Sequence, residues 1–233
     1  MSTLGSAAVG YVGHQVHVVR RREAGWLLDA LGDVRGKTVA DIAGGDGYWA
    51  AQLARRGAYT VAIDLAEDKL HRGRGLPHPP GLIKGDALRL PFPDGSVDAT
   101  LSICAIEHFP SGEDALAEMA RITKPGGSLA MSADALCEEK RWPGLSEGHR
   151  ERYHVVDTYD EDRLTKMLDA AGFDVQRTEY LFREVWAQNL YMRLHKWKFA
   201  PNALAPLAPI VAVSDRRSGA DGGSILLVHA RKR

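Results

Sequence analysis

Three aspartates stand where short apolar runs end: Asp41 in Thr38-Val-Ala-Asp-Ile, Asp64 after 59–63, and Asp86 after 82–84. Behind the first lies Ala43-Gly44-Gly45-Asp46-Gly47. Glycines let a backbone approach a ligand closely and take positive φ. A helix starting just after them adds unpaired N–H groups. Such a turn implies a nucleotide-like cofactor. Gly45, Gly47 and Ala50 fit the dinucleotide pattern G-x-G-x-x-A, and Asp64 lies where a ribose-binding acid belongs. Asp41 argues against a dinucleotide, because its carboxylate would repel a pyrophosphate. It suits an amine-bearing cofactor instead. Acids at three successive strand ends suit an ammonium, a ribose diol and an adenine amine. Taken singly, each also has a plain structural role as a cap or turn former.

These residues need a frame that brings strand ends together. The stretch 38–133 alternates strands and helices: strands at 38–42, 59–63, 82–84, 97–103 and 128–132, with helices at 48–56, 66–74 and 113–122. That alternation predicts an α/β, Rossmann-like doubly wound sheet of about seven strands. The sheet is expected to be mostly parallel with an antiparallel C-terminal strand, and to carry helices on both faces. Strands at 173–180 and 224–229 supply the late edge, helices are expected at 160–171 and 184–199, and 134–159 reads as polar and irregular. One domain is expected over 1–233. It comprises a helical cap at 1–35, a cofactor-binding core at 36–133, and substrate-side insertions at 134–159 and 182–220.

The motifs resemble those of class I S-adenosylmethionine-dependent methyltransferases, in the small-molecule group that includes the ubiquinone and menaquinone methyltransferases. The first motif, D-x-G-x-G-x-G, is similar to Asp41-Ile-Ala43-Gly-Gly45-Asp-Gly47, with Ala43 replacing a glycine and narrowing the room near the methionine portion. Asp64, followed by Leu65, matches the ribose-binding acid, and Asp86-Ala87 the adenine-contacting pair. The run 90–98 matches the approach to the fourth strand, and 124–127 the turn before the fifth. The resemblance implies S-adenosylmethionine as cofactor, with Cys104 among the residues that bind it, a small-molecule methyl acceptor, and a reactive end beside the fourth strand, where Glu107 and His108 lie. His108 is the expected base, since imidazole titrates near neutrality. In some related enzymes the similar histidine pairs with an N-terminal tyrosine, which points to Tyr11, with His14 as rival. Cys104 also reads as a small buried hydrophobe. Two other readings remain: an NAD-dependent oxidoreductase, and a repurposed fold that binds the cofactor without methyl transfer.

Composition narrows the partners. Thirty Lys plus Arg balance thirty Asp plus Glu among 233 residues, so no basic surplus points to nucleic acid. The longest apolar segment, 203–213, is too short and too proline-broken to span a membrane. Two cysteines without metal spacing suggest a reducing, cytoplasmic setting and no metal. A monomer or homodimer is expected. Aromatic and basic residues gather in the insertions: Trp142, His149, Arg150, Arg152, Tyr153 and His154, then Arg183, Trp186, Tyr191, Arg193, His195, Lys196, Trp197 and Lys198. They suit a cap over a flat, oxygenated or anionic acceptor, a dimer contact or a membrane-facing surface.

Overall fold

A computed structural model describes residues 18–137, 144, 146–195, 207–219 and 221–233. Helix α1 (Val18–Ala30) precedes β1 (Thr38–Ile42), α2 (Tyr48–Arg55), β2 (Tyr59–Asp64), α3 (Glu67–Gly73), β3 (Gly81–Lys84) and β4 (Val97–Ser102). A short 3-10 turn (Ile106–His108) then leads to α4 (Gly112–Ile122), β5 (Thr123–Asp134), α5 (Glu147–Tyr153), α6 (Glu161–Ala170), β6 (Phe173–Leu181), α7 (Val185–His195), α8 (Ala208–Arg217) and β7 (Ile225–Lys232). Among the described residues seven strands form one sheet, in the order β3-β2-β1-β4-β5-β7-β6. The first five are parallel, and β7 runs antiparallel between β5 and β6. Chain order reverses between β1 and β4, and in open α/β sheets ligands bind outside the strands' carboxyl ends at such a switch point.

Strand alternation sorts the core onto two faces. Ala40 and Ile42 pack with Ile63, Leu116, Met119, Leu164 and Phe173. Val39 points the other way, to Leu27, Leu31, Leu53, Leu101 and Leu227. Helix α4 starts where Ser111 accepts a hydrogen bond from Asp114 N, with Glu113 and Asp114 in its first turn; α6 starts on Asp160 in the same way. Both use a side-chain oxygen to satisfy an orphan N–H. Helix α1 is tied over the sheet by Trp26 Nε1, which donates to Glu179 Oε2 at 2.7 Å.

Several boundaries move. Strand β4 ends at Ser102 instead of 103, before Cys104 takes φ +43°. Strand β5 is longer than 128–132, because Ala133 and Asp134 also pair with β7. The stretch expected to be irregular contains α5. Strand β7 runs on to Lys232, paired with β6 at its end. The expected 184–199 helix is α7 up to His195, and 196–199 lie outside the described residues.

Candidate cofactor and acceptor site

The glycine turn sits at the carboxyl end of β1. Gly45 has φ +61° and Gly47, which precedes α2, has φ +72°. Only Cδ of Lys69 would come within 4 Å of a Cβ on Gly45, so the turn is open to a ligand there. Asp64 braces it: its Oδ2 accepts from Gly45 N at 2.9 Å and its Oδ1 from Ala66 N at 2.8 Å. Leu65, beside it, is 65% exposed, a large apolar side chain standing at the strand end. Asp41 is buried, and its Oδ2 has no hydrogen-bond partner among the described residues. Burial pushes its carboxyl up to about 7, with smaller contributions from Asp46 and Asp64. A buried oxygen of this kind is costly unless something donates to it. Asp86 is exposed and accepts from Leu88 N in a turn, while Ala87 is buried. Ala43 takes φ +56°, a conformation that favours glycine.

The ends of β4 and β5 form a second polar cluster. Glu107, in the 3-10 turn, is buried and its Oε2 lacks a partner among the described residues. Burial, then the nearby Asp134, raises its carboxyl well above the usual range. Asp134 Oδ2 lies 2.8 Å from His149 Nε2 of α5. Glu23 of α1 is buried between them: its Oε1 accepts from Ser132 Oγ at 2.6 Å and from Cys104 Sγ at 2.9 Å, and Arg20 holds its other oxygen at 2.8 Å. Cys104 N donates to the same Ser132 Oγ. Burial also raises the Cys104 thiol. His108 is half-buried at the rim, with Nδ1 3.4 Å from His154 O and Nε2 4.0 Å from Glu107 Oε1. Burial lowers its pKa, so it is a neutral imidazole near pH 7, the form that accepts a proton. The cavity of about 500 Å³ between α1 and α2, lined by Arg21, Trp49, Gln52 and Arg55 among others, contains none of these acids.

Residues 40–131 match a family described as "Methyltransferase domain". Over that stretch the chain is similar to known methyltransferases. A demethylmenaquinone methyltransferase of Renibacterium salmoninarum is 38% identical over 48% of this chain and 47% of its own length. The chain thus spans about half the length of the curated relatives it matches. Two solved structures share the fold. Geranyl diphosphate C-methyltransferase from Streptomyces coelicolor, in complex with Mg2+, geranyl diphosphate and S-adenosyl-L-homocysteine, has TM-score 0.70 and 16% identity, covering 92% of this chain and 78% of that one. The [4+2]-cyclase SpnF has TM-score 0.64 and 22% identity, covering 91% and 81%.

The structure brings Asp41, Ala43, Gly45, Gly47, Asp64 and Leu65 together at one turn, and Cys104 and His108 at the neighbouring strand end. Tyr11, His14, His17, Trp142, Lys196, Trp197 and Lys198 lie outside the described residues. Sequence reasoning missed Glu23, Ser132 and Asp134 and the Asp134–His149 pair. Asp134 carried a usable signal, since it ends an apolar strand just as Asp41 and Asp64 do. Glu23 carried none: it sits in a helix whose polar and apolar residues are not segregated. Among the described residues, no helix is long and apolar enough to cross a membrane. Leu207, Ile210 and Val213 leave an exposed apolar stripe at the start of α8.

Proposed function

We propose that the protein binds S-adenosylmethionine and transfers a methyl group to a small-molecule acceptor. The observation that carries this is Asp41, a buried carboxylate with an unpartnered oxygen behind an open glycine turn. Those residues fit the cofactor: Asp41 faces an amine, Gly45 and Gly47 leave room for the chain, Asp64 keeps lone pairs for ribose hydroxyls, Leu65 offers an apolar surface to a ring, and Asp86-Ala87 receive the adenine. When bound, the cofactor supplies an activated methyl group on a sulfonium. Alignment of acceptor and methyl group is then the main task left to the chain. His108 takes the proton of an oxygen or nitrogen acceptor, or later that of a methylated ring carbon, with Tyr11 as its partner. The insertions around α5, α7 and α8 cover the acceptor. The cytoplasm is the setting this reading favours, and no disulfide joins Cys104 and Cys137.

S-adenosylhomocysteine at a hundred times its dissociation constant should stabilise the protein by about 2.7 kcal/mol, a rise in Tm of about 5–10 °C, while NADH should leave it unchanged. Stabilisation by NADH alone would overturn the reading. His108→Ala should keep the shift and lose the methyl-sized mass gain on the acceptor; undiminished turnover removes His108 from the mechanism.

A further inference from the structure

We propose that Cys104, Glu107 and Asp134 form a three-ligand divalent cation site, of the kind that holds Zn2+ with one position left open. Cys104 Sγ and one carboxylate oxygen each from Glu107 and Asp134 lie within 4.8 Å of one another. A tetrahedral zinc ion with arms of about 2.0–2.3 Å needs its ligands roughly 3.3–3.8 Å apart, so a side-chain contraction of about 1 Å closes the set. The independent sign of a ligand is Glu107. Glu107 is 1% exposed, and its Oε2 has no partner among the described residues. Arg20 holds Glu23, and His149 lies against Asp134. A buried carboxylate left over in such a cluster is satisfied by a cation.

The supports around the three donors are those a metal site requires. The Asp134 carboxylate is oriented by His149 Nε2 at 2.8 Å. Cys104 is held through its backbone N by Ser132 Oγ at 2.9 Å, and the thiol proton that its Sγ donates to Glu23 Oε1 in the metal-free chain leaves when the sulfur takes the cation. Glu23 in turn accepts from that same Ser132 hydroxyl. A thiol beside two carboxylates selects a borderline metal such as Zn2+ over Mg2+ or Ca2+, which prefer oxygen alone. The charges also suit a dication: among the described residues of the cluster the acids Glu23, Glu107 and Asp134 outnumber the permanent cation Arg20. The donors come from two strand ends, Cys104 and Glu107 following β4 and Asp134 ending β5, which is why no spacing in the sequence announces them. The open position would face the acceptor side of the domain and take an oxygen, nitrogen or sulfur atom of the ligand bound there.

The test needs neither cofactor nor acceptor, so its failure is separate from any failure of the methyl-transfer reading. The full chain, stripped with a chelator and dialysed, is titrated with Zn2+ against a chromophoric competitor, and with Co2+ by absorption. One Zn2+ per chain is expected, with a sulfur-to-cobalt charge-transfer band in the near ultraviolet. Glu107→Gln and Cys104→Ser should each weaken Zn2+ binding at least tenfold, and Cys104→Ser should abolish the band. Both substitutions conserve shape, and near-ultraviolet circular dichroism of the metal-free variants checks their folding. No bound Zn2+, binding undiminished in both variants, a wild-type cobalt complex without the sulfur band, or Mg2+ bound in preference to Zn2+ would each overturn the site. Should Glu107→Gln fail to fold, Cys104→Ser with the cobalt band decides alone.

Discussion

The two halves of the site are built differently. The proposed cofactor half is local: Gly45 and Asp64, which brace each other, are 19 residues apart, and the turn from Asp41 to Gly47 is continuous. The polar cluster beside it, on the proposed acceptor side, is assembled from afar: Ser132 donates to Glu23 across 109 residues, and Cys104 reaches Glu23 across 81. A local turn keeps its geometry as long as two neighbouring strands stay paired. A distributed cluster depends on how α1 and the insertions sit on the sheet, and so it can change chemistry without disturbing the cofactor.

The sharpest way to break this contrast is at Asp215 in α8. Its buried carboxylate holds Arg22 of α1 and accepts from Phe182 N at 3.1 Å and Arg183 N at 2.9 Å. One side chain thus fastens α1, the segment after β6 and α8 together. Asp215→Ala leaves two backbone donors and a quarter-exposed arginine without that partner, and should cost about 3 kcal/mol in urea unfolding. Below its melting range the variant should still bind S-adenosylhomocysteine with wild-type affinity. A parallel loss of cofactor affinity would show that the halves are not separable.

Asp41→Asn probes the local half. Replacing the charged acceptor should weaken S-adenosylhomocysteine about 10–100-fold by isothermal titration, the size of one charge-assisted hydrogen bond. The same change should stabilise the protein above neutral pH. Burial holds the folded Asp41 carboxyl near 7 against 3.8 ordinarily. Between about pH 4 and 7 the folded chain therefore keeps a proton that the unfolded chain has released. Wild-type stability falls as pH rises through that window and stays lower above it. Urea unfolding at pH 5 and pH 8 should show this fall in the wild type and a smaller one in Asp41→Asn; equal slopes would remove Asp41 as its source.

The pH response of binding follows from the same group. At pH 6 about a tenth of Asp41 is ionised, so S-adenosylhomocysteine should bind up to about tenfold tighter at pH 8 than at pH 6, releasing a proton on binding near pH 7. Titrations in buffers of different ionisation enthalpy measure that release. An affinity flat in pH would mean the amine does not meet this carboxylate.

How much of the site was legible in the sequence follows the same division. The turn around Gly45 and Gly47, and the placing of Asp41 and Asp64 at its strand ends, could be read because they sit in short, local segments. Asp86 was legible as a turn former, which the structure shows it to be, exposed and bonded to Leu88 N. The sheet was legible from alternation, including the antiparallel pairing of the last two strands. The length of β5 was not, because Asp134 is drawn into the strand by β7 from almost a hundred residues away. The buried Glu23 could not be read either, since its place is set by packing of α1 against the sheet and by no local pattern.

Ala43 is where the local half departs from its own pattern, and it offers the finest comparison. An alanine at φ +56° pays roughly 1–2 kcal/mol that glycine would not, while glycine gives back about 0.4–1 kcal/mol through a freer unfolded chain. Ala43→Gly should therefore stabilise by about 0–1.6 kcal/mol, a rise in Tm of at most about 3–6 °C. If the methyl group also narrows the cofactor's berth, S-adenosylhomocysteine should bind the variant tighter as well as the fold being firmer. A gain in stability with unchanged affinity would place the Ala43 methyl outside the berth, leaving strain as its sole effect. A loss of both would mean that this turn has been shaped around the alanine, and that the local half depends on its surroundings after all.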